Sequence, residues 1–314
     1  MRYYFAPLEG LTDSIYRQLH HKYFPGVDRY YTPFFSPTAH RSLSPKERRE
    51  FQPVSSFGLN VVPQVLTRNA DDFLWMAQQC ADCGFTELNL NLGCPSGTVT
   101  AKGKGSGALR DLGELSAFLD GIFSTTPIAV SIKTRIGFSS AEEFPALLEI
   151  FNRYPVCELT VHPRTRTDFY KGSVNEEAFQ YAVIHSKNPL CFNGNLCSKA
   201  QADNIGQTYP SVKAVMMGRA LIADPGMLSV GGTTLPVLEA FYDELLDAYA
   251  QAFGSSRNAM FRLKENWHYL ICRFDGGEKL FKKLRKTTDL NEYKALTKQL
   301  FHNVPLAENL KPNW

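Results

Sequence analysis

Short runs of alternating or continuous apolar residues recur along this chain, each broken by glycine, proline or asparagine, and most are followed by apolar positions spaced three and four apart. The first kind of run predicts a strand and the second an amphipathic helix. Strands are predicted at Tyr3–Ala6, Arg29–Thr32, Val61–Leu66, Phe85–Leu92, Ile128–Thr134, Cys157–His162, Leu190–Asn193 and Val212–Met217. Helices are predicted from Thr12-Asp13 to Tyr23, from an Asn69 cap to Cys83, and over Leu112–Phe123, Ala141–Tyr154 and Glu176–His185. Eight strands with crossovers in about 230 residues predict an α/β fold closed as a (β/α)8 TIM barrel, in preference to an open doubly wound sheet. After the Gly231-Gly232-Thr233 linker the pattern is helical, beginning with Leu238, Phe241, Tyr242, Leu245, Leu246 and Tyr249. The expected organisation is therefore a catalytic barrel over 1–232 and a small C-terminal helical bundle over 233–314, with Trp267, His268 and Tyr269 in the bundle core.

Composition narrows the class. With 314 residues and 44% hydrophobic content the chain has enough apolar material for a full core and a second, smaller one. No apolar run reaches the roughly 18 residues of a membrane span, and no signal-like segment precedes Glu9, so a cytoplasmic protein is expected. Seven irregularly spaced cysteines fit a reducing compartment and not a disulfide framework. Cys80 and Cys83 form a lone CxxC at the end of a helical pattern, which reads as packing, and no metal site is expected.

Net charge is only +3, yet residues 257–303 hold 11 Lys/Arg against 5 Asp/Glu. Joined to Lys102, Lys104, Arg164 and Arg166 at the barrel mouth, that surplus suits a phosphate backbone.

Candidate chemistry collects at the C-terminal ends of the predicted strands, where barrel active sites lie. The fourth strand ends in Gly93-Cys94-Pro95 and runs into a loop with Gly97, Gly103, Gly105 and Gly107 among Lys102, Lys104 and Ser106. Such a loop reads as a mobile lid over an anionic substrate. Gly103–Ala108 superficially matches a dinucleotide fingerprint, but it does not directly follow a strand, and no P-loop is present. Gln64, Asn91, Lys133, Arg135, His162 and Arg164 end other strands, and alternation points Lys133 into the mouth. His162 has no second ligand at metal spacing. Asn193-Gly194-Asn195 and Gly218-Arg219 follow strands seven and eight, the usual barrel site for a phosphate.

Five segments, in order and at strand ends, resemble the dihydrouridine synthases, FMN enzymes that reduce uridine in tRNA: APLEGLTDSIYR, NLGCPS, VSIKTRIG, VHPRTRTDFYKG, and FNGN with VMMGRAL. The resemblance implies FMN lined by Pro7, Leu8 and Glu9, with Gln64 at its pyrimidine edge, Lys133 beside the ring, and His162 fixing it. Asn193, Gly194, Asn195, Gly218 and Arg219 would hold its phosphate. It further implies NADPH as reductant, Cys94 as the general acid and Asn91 on the uracil edge; charge and position at the strand ends assign Lys102, Lys104, Arg135, Arg164 and Arg166 to the RNA. The chain departs from the family in carrying Ser96-Gly97-Thr98 where a lysine usually follows Cys-Pro.

Two other classes compete: an FMN barrel reducing a free small molecule, as dihydroorotate dehydrogenase relatives do, and an RNA-binding relative without catalysis. The basic bundle disfavours the first, and intact Cys94, Lys133 and His162 disfavour the second. The expected partner is tRNA, with no obligate protein partner.

Overall fold

The computed structural model describes residues 1–51, 58–312 and 314. Contacts divide the chain into a unit of residues 1–7, 28–195 and 202–217 and a unit of residues 8–27, 196–201 and 218–314.

The first unit contains the barrel: β1 (Arg2–Phe5), β2 (Arg29–Phe35), β3 (Val61–Val65), β4 (Glu87–Leu92), β5 (Ala129–Gly137), β6 (Leu159–Thr165), β7 (Leu190–Asn193) and β8 (Ala214–Met217). All pairs are parallel, and β8 closes on β1 through Arg2↔Ala214 and Phe5↔Met217. Tyr4, Ala6, Tyr31, Val62, Cys191, Ala214 and Met216 form one buried cluster.

At the N-terminal end Arg29 pairs with Glu87 at 3.0 Å, and the Tyr4 hydroxyl donates to Glu158 at 3.0 Å. Burial pushes the Glu158 carboxyl up, against the pull of Arg29 and Tyr4. Polar groups at this end of a barrel serve stability.

Helices of this unit follow their apolar stripes. In α3 (Ala70–Asp82), Phe73, Met76, Ala77 and Cys80 share the buried face, each side chain of Leu or Phe size worth about 2 kcal/mol. The Asn69 side chain accepts from the Asp72 N–H at 3.0 Å and starts the helix. Helix α2 (Pro45–Glu50), with its Ser44/Glu47 capping box, was not legible from periodicity. Helix α4 (Gly97–Thr100), a 3₁₀ segment Gly105–Arg110 and α5 (Leu112–Thr125) follow β4. The stretch expected as one helix over 141–154 is a 3₁₀ turn, Ala141–Glu143, leading into α6 (Phe144–Phe151), because Ser140 caps the turn and Pro145 opens the helix. Helices α7 (Glu176–His185) and α8 (Lys199–Thr208) complete the order before β8.

The second unit holds α1 (Ser14–Tyr23), α9 (Arg219–Ala223), α10 (Leu235–Phe253), α11 (Ser256–Leu270), α12 (Glu278–Lys286) and α13 (Leu290–Asn303). Asp13 ties three of its helices together. It caps α1 through the Tyr16 N–H at 3.1 Å, accepts the Tyr249 hydroxyl at 2.8 Å, and pairs with Arg262 at 2.6 Å. Trp267 is fully buried and donates to the Tyr293 hydroxyl at 3.0 Å, as a core residue should. His268, expected beside it, is exposed, because the stripe of α11 runs through Leu263, Trp267 and Leu270. No helix among the described residues is long and apolar enough to cross a membrane.

Candidate active site

Strand β4 alternates faces, so Leu88, Leu90 and Leu92 pack away from the polar row of Asn89 and Asn91. Gln64 on β3 donates to Asn89 at 2.7 Å and accepts from Asn91 at 2.8 Å, and Asn89 donates to Ser131 on β5 at 2.8 Å. The row is a chain of side-chain hydrogen bonds among buried residues that runs from Asn91 through Gln64 and Asn89 to Ser131. The side-chain amide oxygen of Asn91 then accepts the N–H groups of Gly93 and Cys94 at 3.1 and 3.0 Å, a turn that ends the strand and sets the direction of Cys94.

Two further groups grip the same turn. Arg135 Nε donates to the Gly93 carbonyl at 2.8 Å, and Ser106 donates to the Cys94 carbonyl from its N–H at 3.1 Å and its hydroxyl at 2.8 Å. The half-buried Cys94 thiol is free, and its Sγ takes no hydrogen bond among the described residues.

The glycine-lysine loop expected as a mobile lid is folded against this turn. Gly105 has φ +57°, and a Cβ there would lie 2.8 Å from the Cys94 carbonyl oxygen; one on Gly107 would lie 2.7 Å from that of Thr100. These glycines permit backbone contact and not looseness. Lys102 is exposed, whereas Lys104 donates to the Ser36 hydroxyl at 2.9 Å.

Lys133 on β5 is the register partner of Asn91 on β4 and of Thr160 on β6. Its ammonium makes no hydrogen bond among the described residues. Burial, then the Arg135 guanidinium, push its pKa down to about 8, against the pull of Cys191 and Cys94.

Both β5 and β6 run further than expected, through a Gly137↔Thr165 pair, and this extension carries Arg135 and Arg164 inside. Each is only 1% exposed. Arg135 donates to the Thr165 carbonyl at 2.7 Å; Arg164 donates to the carbonyls of Lys171, at 3.2 Å, and Gly172. Burial lowers both guanidinium pKa values.

Arg164 Nη1 also lies 2.9 Å from His162 Nε2. A guanidinium only donates, so Nε2 accepts, and the ring proton of neutral His162 is assigned to Nδ1. The imidazole stacks on Tyr170 at 6.2 Å, and Arg135 lies over the same ring at 5.2 Å.

The structure thus brings Gln64, Asn91, Cys94, Lys133, Arg135, His162 and Arg164 together at the C-terminal ends of β3 to β6. Pro7, Asn193, Gly194 and Asn195 belong to the same unit, whereas Leu8, Glu9, Gly218 and Arg219 belong to the other. Asn193 donates to the Met216 carbonyl at 2.8 Å. A Cβ on Gly194 would lie 2.7 Å from the Phe192 ring. Leu8 and Thr12 exchange bonds, the Leu8 N–H donating to the Thr12 hydroxyl at 2.8 Å. Arg219 lies over the Trp314 ring at 5.7 Å.

Sequence reasoning did not single out Asn89 or Tyr170, and it named Ser106 only as a polar residue of the loop after Cys94. The Asn89-x-Asn91 alternation was a usable signal for the first; nothing in the sequence marks Ser106 as the residue that holds the Cys94 carbonyl.

Comparison with known proteins gives this arrangement a context. A family model described as dihydrouridine synthase matches residues 4–308. A probable tRNA-dihydrouridine synthase of Helicobacter pylori strain J99 is 27% identical, over 99% of this chain and 95% of its own. The tRNA-dihydrouridine synthase B of Proteus vulgaris is 25% identical, over 80% of this chain and 81% of its own. Among solved structures, morphinone reductase superposes with a TM-score of 0.52 at 12% identity, over 72% of this chain and 84% of its own, a likeness of fold alone. The family match begins in β1, takes in the Cys94 turn and the polar strand ends around it, and reaches past α13, so the chain belongs to the dihydrouridine synthase family of oxidoreductases.

Proposed function

We propose that the protein reduces specific uridines of tRNA to 5,6-dihydrouridine, in the cytoplasm, with Cys94 as the proton donor. The observation that carries this reading is the Cys94 turn. Three segments hold its backbone, through Asn91, Arg135 and Ser106, and leave the thiol free. A general acid needs that arrangement: a fixed position and an S–H not committed elsewhere.

The residues present suit FMN. Lys133, cationic at neutral pH and without a hydrogen-bond partner among the described residues, would offer its charge to an anionic ring edge, and Gln64, His162 and Pro7 would flank that ring. Asn193, Gly194 and Asn195 follow β7, where barrels commonly bind phosphate. On motif position alone, Leu8, Glu9, Gly218 and Arg219 are assigned to the same cofactor. A bound FMN reduced by NADPH would supply the hydride that goes to uracil C6.

Cys94 then delivers its proton to C5, and Asn91, with one amide proton still uncommitted, meets the uracil edge. His162 keeps one tautomer through Arg164, and Arg135 and Arg164 hold loops while Lys102, Lys104 and Arg166 face the RNA. The target nucleotide must leave its stack to reach a barrel mouth, at a few kcal/mol. The Lys/Arg surplus over 257–303 supports residues 233–314 as the RNA-binding domain that offsets this.

The test is dihydrouridine content, by mass spectrometry, of unmodified tRNA incubated with the protein, FMN and NADPH, beside a Cys94→Ala variant. Product from the native protein and a loss of at least about 100-fold in the variant are expected for a lost general acid. Equal product from both would remove Cys94 from the chemistry.

A further inference from the structure

We infer that the loop after β6 carries a stacking platform for an RNA base next to the reduced uridine, with Phe169 as its outer ring. The inference rests on the uridine-reductase reading and adds a subsite to it.

Four side chains alternate cation and ring. Arg110 lies over the Phe138 ring at 4.1 Å, Arg166 lies over the same ring at 5.3 Å, and Arg166 lies over the Phe169 ring at 5.1 Å. Neither guanidinium has a hydrogen bond or an ion pair among the described residues, and Arg166 Nε is buried without an acceptor. Phe169 and its neighbour Tyr170 are 40% and 49% exposed.

The platform is built, not draped. The Arg166 N–H donates to the Gly137 carbonyl at 2.9 Å, and the Phe169 N–H donates to the Arg166 carbonyl at 3.2 Å. Asp168 accepts from the Thr165 N–H and hydroxyl at 2.7 and 2.8 Å. Phe169 itself takes φ +52°, a left-handed conformation that costs a non-glycine residue about 1 kcal/mol. A residue with a large exposed ring thus occupies a position where glycine would be easier.

The loop is also tied to the chemistry. Arg135 bridges the carbonyls of Gly93 and Thr165, the residues immediately before Cys94 and Arg166. The 3₁₀ segment that ends in Arg110 includes Ser106, which holds the Cys94 carbonyl.

An exposed ring beside two uncommitted guanidinium groups matches a partner with both a π face and an anion. A nucleotide has both. An apolar peptide would leave the cations unpaired, and a free phosphate would leave the rings uncovered. The base stacks on Phe169, and a phosphate of the same strand meets Arg166.

Glycine and tryptophan at position 169 separate this role from a structural one. Glycine relieves the left-handed strain and removes the ring; tryptophan keeps a ring. Dihydrouridine formation is measured against tRNA concentration for the native protein, Phe169→Gly and Phe169→Trp, with unfolding temperature alongside. For Phe169→Gly, a fall of about 10-fold in kcat/KM is expected, carried by KM and with no fall in unfolding temperature, as loss of one base stack predicts. Phe169→Trp should recover most of it.

Native-like kcat/KM in Phe169→Gly overturns the platform. So does a loss that tracks a lowered unfolding temperature. Absence of product from the native protein overturns the uridine-reductase reading itself, and the subsite with it.

Discussion

Replacing Lys133 by methionine tests the electrostatics of the site without any cofactor. The folded protein holds this ammonium at a pKa of about 8 against 10.5 for a free lysine, mainly through burial. At about 1.4 kcal/mol per unit, the charged side chain destabilises the flavin-free fold by roughly 3 kcal/mol at pH 7. That figure is an upper one, because part of the side chain remains accessible.

The sign follows from proton counting. Below about pH 8 both folded and unfolded chains hold the proton, and the destabilisation is complete. Between about 8 and 10.5 the folded chain has released it while the unfolded chain keeps it, so native stability rises with pH in that window. Lys133→Met should therefore be more stable than its parent at pH 7, with the advantage shrinking steadily from pH 8 towards 10. Urea denaturation at pH 7, 8, 9 and 10 measures it, in a Cys94→Ser background so that the interacting thiol does not titrate. A difference between the two proteins that stays constant over this range would refute the argument.

Two further perturbations probe the scaffold. Gly105→Ala adds a Cβ 2.8 Å from the Cys94 carbonyl oxygen at φ +57°, so a stability loss of roughly 2 kcal/mol is expected from strain and displacement together. On the proposed function, dihydrouridine formation should fall while NADPH-driven reduction of added FMN continues; Gly97→Ala, with open space around its Cβ, is the neutral control. Asp13→Ala removes the α1 cap and leaves Arg262, whose side chain is 17% exposed, without its carboxylate. Loss of roughly 3 kcal/mol in denaturation is expected, and a change below about 1 kcal/mol would mean that the pair contributes little.

The barrel was legible because its elements carry clean periods. Phe73, Met76, Ala77 and Cys80 trace one face of α3, and Leu88, Leu90 and Leu92 trace one face of β4. Elements without a stripe were not legible. Helix α2 reads PKERRE and is polar all round, and α8 buries only Ala202. The ends of β5 and β6 were missed for a different reason. Arginine looks like a solvated rim in sequence, but Arg135 and Arg164 go inside because carbonyls from distant turns accept their protons. Sequence spacing does not record which carbonyls those are.

The same limit applies to the glycine loop, and the outcome there bears on mechanism. A run rich in glycine suggests mobility when only the chain is considered, whereas Gly105 and Gly107 each admit a backbone atom closer than a Cβ would allow. The loop is thereby packed against the Cys94 turn, and Ser106 can reach the Cys94 carbonyl from both its N–H and its hydroxyl. Among the described residues, the hydrogen bonds fixing Cys94 are made to its backbone or to that of Gly93, from β4, from β5 and from this loop. A nucleophilic cysteine wants a base at its sulfur or a strongly depressed pKa, and no base is bonded to the Sγ here among the described residues. A proton donor needs only to be held still and to keep its S–H uncommitted, and that is the condition this scaffold creates.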